Sequence, residues 1–232
     1  MSFLKSLLPI FIKNFIKSQI EHENLVFTSQ AGEDIMLKNL FYRDYLSKDI
    51  KGFYVDIGAY HPQLFSNTHF FYKNGWTGIN VDGTSESIDL FNKERIHDIN
   101  IHSIISNIET DYYFPQQRDS MNGISESAEG CIKVKSITLK SLFEKYLPKN
   151  TEITFMSIDT EGHEFNILKS NDWSRYRPKV LLVEIEGKTV LESQQSEIVA
   201  FLESINYKYV ARSYIVSHVG TSVFVANEAK LP

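Results

Sequence analysis

Residues 52–82, GFYVDIGAYHPQLFSNTHFFYKNGWTGINVD, decide the fold. Phe53–Ile57 is a short run of aromatic and β-branched residues that predicts a strand, ending beside Asp56 and Gly58. The aromatic segment Leu64–Tyr72 has helical length, and Asn74-Gly75 is the stop signal that closes it. Thr77–Val81 predicts a second strand, with Asp82 at its carboxyl end. Two strands joined by a helix pair in parallel with a right-handed crossover. Ligands of such open sheets sit in the crevice beyond the carboxyl ends of the strands. Asp56, Gly58 and Asp82 are therefore the first candidate binding residues.

An acidic residue closing the second strand suits the ribose hydroxyls of a nucleotide-like ligand. Two ligands remain in view, a dinucleotide and S-adenosylmethionine. A pyrophosphate cradle needs several glycines and free amides. The turn Asp56-Ile57-Gly58-Ala59-Tyr60-His61-Pro62 has one glycine and ends in a residue without an amide proton. It suits the phosphate-free, positively charged sulfonium better. The plain alternative is that Asp56 and Asp82 only cap helices, and these two acids alone do not separate the two readings.

Three motifs carry a resemblance. Ser29-Gln30-Ala31-Gly32-Glu33-Asp34, the block from Gly52 to Asn67 with its His61-Pro62 and Ser66-Asn67-Thr68 pieces, and Ser157-Ile158-Asp159-Thr160-Glu161-Gly162-His163-Glu164 follow one another in that order. The chain resembles, over residues 28 to 190, the FkbM-type S-adenosylmethionine-dependent methyltransferases, which methylate hydroxyls on sugars, polysaccharides and natural products. Gly83 departs from the family, where many members have proline. The resemblance implies S-adenosylmethionine as cofactor, held by Gln30, Asp56, Gly58, Ser66, Asn67, Asp82, Ser106 and Asp159. Gln30 would belong to a lid over the cofactor, and Ser106 would lie beside the adenine.

The bulk properties agree with one enzyme domain. With 232 residues, 42% of them hydrophobic, the chain can bury one sizeable core. A net charge of −5 gives no basic footprint for nucleic acid. The single cysteine, Cys131, excludes an internal disulfide framework and fits a reducing compartment. A cytoplasmic protein is expected, with a membrane-peripheral location as the lesser alternative. That alternative comes from residues 1–20, where Phe3, Leu4, Leu7, Leu8, Phe11, Ile12, Phe15 and Ile16 share a helical face. Lys5, Lys13 and Lys17 exclude an ordinary membrane span, and Pro9 bends or delays the helix. Docking on its own domain or a homodimer contact is favoured over membrane-surface contact. The domain reading is thus 1–27 as amphipathic helix and linker, and 28–232 as the methyltransferase domain.

Along the rest of the chain, Ser29–Leu46 predicts a helix, and Thr84 is the expected N-cap of a helix over Ser85–Glu94. Asn100–Ile105 predicts the third strand, and Asp111–Phe114 and Cys131–Lys135 two short ones. The polar stretch from Pro115 to Gly130 reads equally as a border of the acceptor pocket or a surface excursion. Helices follow at Ile137–Tyr146, His163–Leu168 and Ser193–Ile205. Strands are expected at Ile153–Ile158 and Val180–Ile185, with an antiparallel pair at Tyr207–Arg212 and Thr221–Ala226. This order predicts an α/β fold: a Rossmann-like, seven-stranded class I methyltransferase sheet, mostly parallel with its last strand antiparallel.

Methyl transfer to a hydroxyl needs positioning, desolvation and help with the acceptor's proton. Asp159, Glu161, His163 and Glu184 can supply that help. His163 is the leading base, because its ordinary pKa lies nearest neutral pH, and His61 is the second. Asp159 closes a buried strand, where a carboxylate needs a partner. The same acids suit Mg2+ or Mn2+, although a metal-free site is favoured. The expected acceptor is a sugar, a surface-polysaccharide precursor or a related small molecule. The alternatives are a metal-dependent variant acting on a phosphoryl or phosphoramidate-type oxygen of a glycan precursor, a nucleotide-dependent oxidoreductase, and a non-catalytic binding module.

Overall fold

The computed structural model describes residues 26–41, 50–214 and 218–231. The amphipathic segment 1–20 and the end of the helix expected at Ser29–Leu46 lie outside them. In chain order the elements are α1 (Glu33–Phe41), β1 (Phe53–Ile57), α2 (His69–Lys73), β2 (Thr77–Asp82), α3 (Ser85–Glu94), β3 (Ile99–His102), β4 (Ile104–Ile105), β5 (Asp111–Pro115) and β6 (Cys131–Ile137). There follow α4 (Leu139–Tyr146), β7 (Phe155–Ile158), α5 (Glu164–Lys169), β8 (Val180–Glu186), α6 (Val190–Gln194), α7 (Glu197–Ser204), β9 (Tyr207–Arg212) and β10 (Val219–Ala226).

The main sheet has the order β3-β2-β1-β7-β8-β10-β9, the seven-stranded arrangement expected from the sequence. Its first five strands run parallel, and β10 is antiparallel to both β8 and β9. Strand alternation explains the two cores. Val55 and Ile57 join Leu181, Val183, Leu142 and Leu168 on one face, while Tyr54 joins Phe155, Leu182, Phe71 and Trp76 on the other. Burial on both faces is why Val180–Ile185 is a continuous apolar run. Phe71, Trp76 and Phe155 pack with ring centroids 4.8–6.0 Å apart, each pair contributing about 1 kcal/mol beyond its buried area.

Register places the candidate acids side by side. Asp56 pairs with Asn80 on one side and Ser157 on the other. Beyond the last pair, Gly58 N and Ala59 N donate to Val81 O, and Asp159 N donates to Ile57 O. The three strands therefore release their chains at one level.

Three expected elements differ. The helix from Leu64 begins only at His69, because Phe65 takes the left-handed conformation (φ 57°) and the hydroxyl of Ser66 accepts from Thr68 N and His69 N. The third strand divides at Ser103. The Ser103 amide still donates to Asp82 O, but its hydroxyl donates to Lys135 O, and β4 leaves to form a second sheet, β4-β6-β5. The helix expected over Ser193–Ile205 divides because Ser196 caps α7 by accepting from Val199 N. Thr84 does precede α3, but its side chain makes no cap; its amide donates to Asp82 instead.

Candidate functional site

The carboxyl ends of β1, β2, β7 and β8 open into a cavity of about 260 Å³. Gln30, Asp56, Gly58, Asn67, Asp82, Asp159, Glu161, His163 and Glu184 line it. Nine expected residues thus converge, although Gln30 lies far from Glu184 in sequence.

Gly58 shows how tight the first turn is. It has φ 80°, and a Cβ there would stand 1.7 Å from the carbonyl oxygen of Asp159. Its glycine is required by the neighbouring backbone as much as by any ligand. Asp82 sits at the adjoining strand end, where Oδ2 accepts from Tyr60 N (2.8 Å) and Oδ1 from Thr84 N (2.7 Å). Burial raises its pKa, and these two amides oppose that rise. Each oxygen keeps a second lone pair for a ligand hydroxyl.

Asp56 rests on a polar network the sequence did not reveal. Its Oδ2 accepts from the Thr68 hydroxyl (3.0 Å), which in turn accepts from buried Arg95 (3.2 Å). Arg95 also donates to Tyr54 Oη, Ser66 Oγ and Pro62 O, and lies 3.7 Å from Asp98. One guanidinium therefore fixes the 60–68 loop and the floor beneath it. Burial lifts the Asp56 carboxyl to about 6, with the Thr68 hydroxyl and the Arg95 charge pulling the other way.

At the opposite end the acids answer one another. Asp159 and Glu184 face each other, and oxygens of Asp159, Glu161 and Glu184 all lie within 4.8 Å of one another. Burial, then the charges of Glu184, Glu161 and Glu164, pushes Asp159 well above the ordinary carboxylate range. Burial and the Glu161 and Glu164 charges raise Glu184 to about 7. Both carboxyls are therefore held toward the protonated form.

Glu164 holds this turn together. Its Oε1 accepts from Thr160 N (2.8 Å), Thr160 Oγ1 (3.0 Å) and Gly162 N (3.1 Å). The turn presents Glu161 in the left-handed region, at φ 55°. Tyr60 and Phe65 are also left-handed, and all three line the cavity. Such backbone costs on the order of 1–2 kcal/mol per residue and collects at functional sites.

Three expected contacts stand off the cavity wall. Ser106 is fully buried, and its hydroxyl meets His163 Nε2 (3.0 Å) and Tyr112 Oη (3.1 Å). Ser103, Ile104 and Ile105 take its place on the wall, because the split at Ser103 turns Ser106 into the second sheet. Ser66 is occupied by Arg95 and two backbone amides. His61 is committed to its own turn, with Nδ1 accepting from Gln63 N and Leu64 N (both 3.0 Å). His163 reaches the cavity, but Ser106 meets its Nε2 and Asn166 lies 3.4 Å from its Nδ1. Burial lowers its pKa, so it stands neutral near pH 7.

The cavity also has walls the sequence did not reveal. Asp119–Asn122 and Ile124 line it, so the loop between β5 and β6 is a border of the pocket and not a remote excursion. Gly123 packs there, a Cβ at that position lying 3.3 Å from Glu161 Cβ. Gly83 makes room for the Phe114 ring, which an added Cβ would meet at 2.8 Å. His218, from the β9–β10 connection, lines the same space. The length of the 115–130 loop was the one signal for any of these.

The profile of the Methyltransferase FkbM domain matches residues 56–209. The chain belongs to that family. The matched span begins at the first strand-end acid and covers the cavity's β1, β2, β7 and β8 elements. The Ser29–Asp34 motif lies before it. There Asp34 accepts from Thr28 N, Ser29 N and Ser29 Oγ, and Glu33 accepts from Ala31 N, leaving Gln30 as the member that reaches the cavity.

No curated protein matches the chain in sequence. Among solved structures, the chain is similar to the METTL16 MTase domain, with a TM-score of 0.48 and 7% identity, over 84% of this chain and 66% of that one. It therefore spans just under two thirds of that domain. It is also similar to precorrin-6y C5,15-methyltransferase of Geobacter metallireducens GS-15, with a TM-score of 0.44, 10% identity, and 84% and 87% of the two chains covered. A third is the 1,6-didemethyltoxoflavin-N1-methyltransferase of Burkholderia thailandensis, solved with 1,6-didemethyltoxoflavin and S-adenosylhomocysteine. It has a TM-score of 0.43 and 9% identity, with 93% and 87% covered. Among the described residues, no helix is long and apolar enough to cross a membrane.

Proposed function

We propose that this FkbM-family protein transfers a methyl group from S-adenosylmethionine to a hydroxyl of a sugar or surface-polysaccharide precursor in the cytoplasm. One observation carries the reading: Asp56 and Asp82 open on the same cavity as the crowded carboxylates of Asp159 and Glu184. The donor set fits the cofactor. Carboxylates and a single glycine turn suit ribose hydroxyls and a cationic sulfur, and the turn's amides at Gly58, Ala59, Tyr60 and His61 are already bonded within the protein. S-adenosylmethionine, when bound, supplies a methyl group already activated for in-line displacement.

The chain's own residues have four tasks. Asp82 has lone pairs free for ribose hydroxyls, and Phe114, Ile104 and Ile105 offer an apolar wall for a flat ring. The loop Asp119–Ile124 covers the cavity and excludes water, which strengthens the electrostatics inside. The Asp159–Glu184 pair takes the acceptor's proton, since a base with a pKa near working pH combines the right protonation state with driving force. His163, neutral and tied to Ser106, positions the turn that carries Asp159 and Glu161. Asp159, Glu161 and Glu184 also form an oxygen trio that fits Mg2+ or Mn2+, which would polarise the acceptor oxygen.

The test is calorimetric titration with S-adenosylmethionine and with NADH, followed by incubation with isotopically labelled methyl donor and cell-envelope sugar nucleotides. Binding of S-adenosylmethionine alone and label on a sugar oxygen is the expected result. Tight NADH binding, or label on nitrogen or carbon, would sink it.

A further inference from the structure

Among the described arginines, Arg95, Arg175 and Arg177 lie 3.7, 3.2 and 2.5 Å from carboxylates. Arg212 has one buried unpartnered nitrogen, Nε, but its Nη2 donates to the carbonyls of Ile185 and Gly187. Arg118 instead lies over the Tyr60 ring, 5.5 Å from its centroid, and its Nη1 is buried without a hydrogen-bond partner. A buried charged donor with no acceptor is costly, and in a native protein it points to a missing oxygen.

Its surroundings give that oxygen a context. The Tyr60 and Phe65 rings stack 6.4 Å apart at 19°, both held at positive φ, and both line the cavity. Phe65 is 44% exposed, an apolar face turned outward from strained backbone. Directly after Arg118, Asp119–Asn122 continue the cavity wall. Arg118 itself is not part of that wall, but it joins the loop to the glycine turn through the Tyr60 ring, next to the lining residue Asp119. The acids inside, Asp159, Glu161 and Glu184, repel an anion, and Asp119 adds to them near Glu161. An anionic group is therefore kept at the mouth while a neutral hydroxyl can go inward.

We propose that the acceptor is an anionic sugar, gripped through a phosphoryl or carboxylate oxyanion by Arg118 above Tyr60 and Phe65, with its reacting hydroxyl toward Asp159 and Glu184. This rests on the methyltransferase reading of the cavity. A planar guanidinium binds either oxyanion through paired donors, so the two sources share one chemistry.

The experiment uses the full chain loaded with S-adenosylhomocysteine and titrated with glucose 1-phosphate, glucuronate and glucose. One charged probe should bind at least about tenfold tighter than glucose, and which one it is identifies the oxyanion. Arg118→Gln should erase that preference while affinity for S-adenosylhomocysteine, which reports a folded cavity, is retained. Arg118→Lys should keep only part of it. In the wild type, the Arg118 Nε–H resonance should shift on adding the favoured probe and not on adding glucose, a reading that needs no variant to fold. Equal binding of all three sugars, or a charge preference that survives Arg118→Gln, overturns the proposal alone. Failure of S-adenosylhomocysteine to bind the wild type overturns the methyltransferase reading and this proposal with it.

Discussion

The cavity has two carboxylate ends built in opposite ways. At one end Asp56 and Asp82 are each answered by donors: the Thr68 hydroxyl for the first, the Tyr60 and Thr84 amides for the second. At the other end Asp159, Glu161 and Glu184 face one another, and burial and mutual repulsion push Asp159 and Glu184 toward the protonated form. The first arrangement is preorganised and suits binding. The second is poised between protonation states and suits chemistry. On the proposed reading, one sheet edge keeps recognition and proton transfer apart by the partners it gives each acid, not by the acids themselves.

The largest effect should come from the joint between the two ends. Gly58→Ala drives a Cβ into the Asp159 carbonyl and strains a left-handed turn, at a cost of about 4 kcal/mol. Thermal melts should show a fall of order 10 °C, with loss of S-adenosylhomocysteine binding. A variant that melts and binds normally would mean the ends are not rigidly coupled. Next comes Asp159→Asn, which keeps the shape and removes the titrating carboxyl. Turnover should fall about 10³-fold, while affinity for S-adenosylhomocysteine changes little. Equal losses in both would erase the division of labour.

A smaller effect separates the ends by pH. Glu184 is raised in the folded chain to about 7 from an ordinary 4.5, so the folded state keeps a proton that the unfolded state releases. Its contribution to stability is therefore lost as pH rises through that window, and Asp56, raised to about 6, adds to the slope below it. Turnover should move the other way, rising through about 7 as the pair frees a base. Glu184→Gln should flatten the stability profile and raise Tm by about 3 °C at pH 8. A profile of Tm against pH unchanged by the substitution would show that the pair is not proton-linked. Smallest of all, EDTA should leave turnover within about twofold if the carboxylates act as a base without a cation. A large loss restored by Mg2+ would turn the acid end into a metal site.

Much of this was legible in the chain because it is local. Alternation and β-branched runs announce β1, β2, β7 and β8, Asn74-Gly75 stops α2, and acids stand one residue before or beyond strand ends. Where a distant partner decides, the reading stopped. Phe65 reads as helix until Arg95 and Ser66 are seen holding its loop. Asn100–Ile105 reads as one strand until the Ser103 hydroxyl is seen to reach Lys135. Ser66, Ser106 and His61 have suitable chemistry, yet each is spent on a structural hydrogen bond. The FkbM motif residues Glu33, Asp34 and Glu164 likewise hold turns rather than line the pocket as bare acids.

What the sequence determined by itself is the order of the elements, the two-faced burial of the sheet and the level at which its acids emerge. These follow from short-range periodicity and turn chemistry. Only the tertiary structure decided which of those acids crowd together, which are satisfied and which described arginine has no oxygen partner. Asp159 meets Glu184 because β7 and β8 lie parallel with Ile158 beside Val183. A carboxyl's charge state depends on burial and on neighbours in space, and those neighbours are brought together by strand pairing rather than by nearness along the chain.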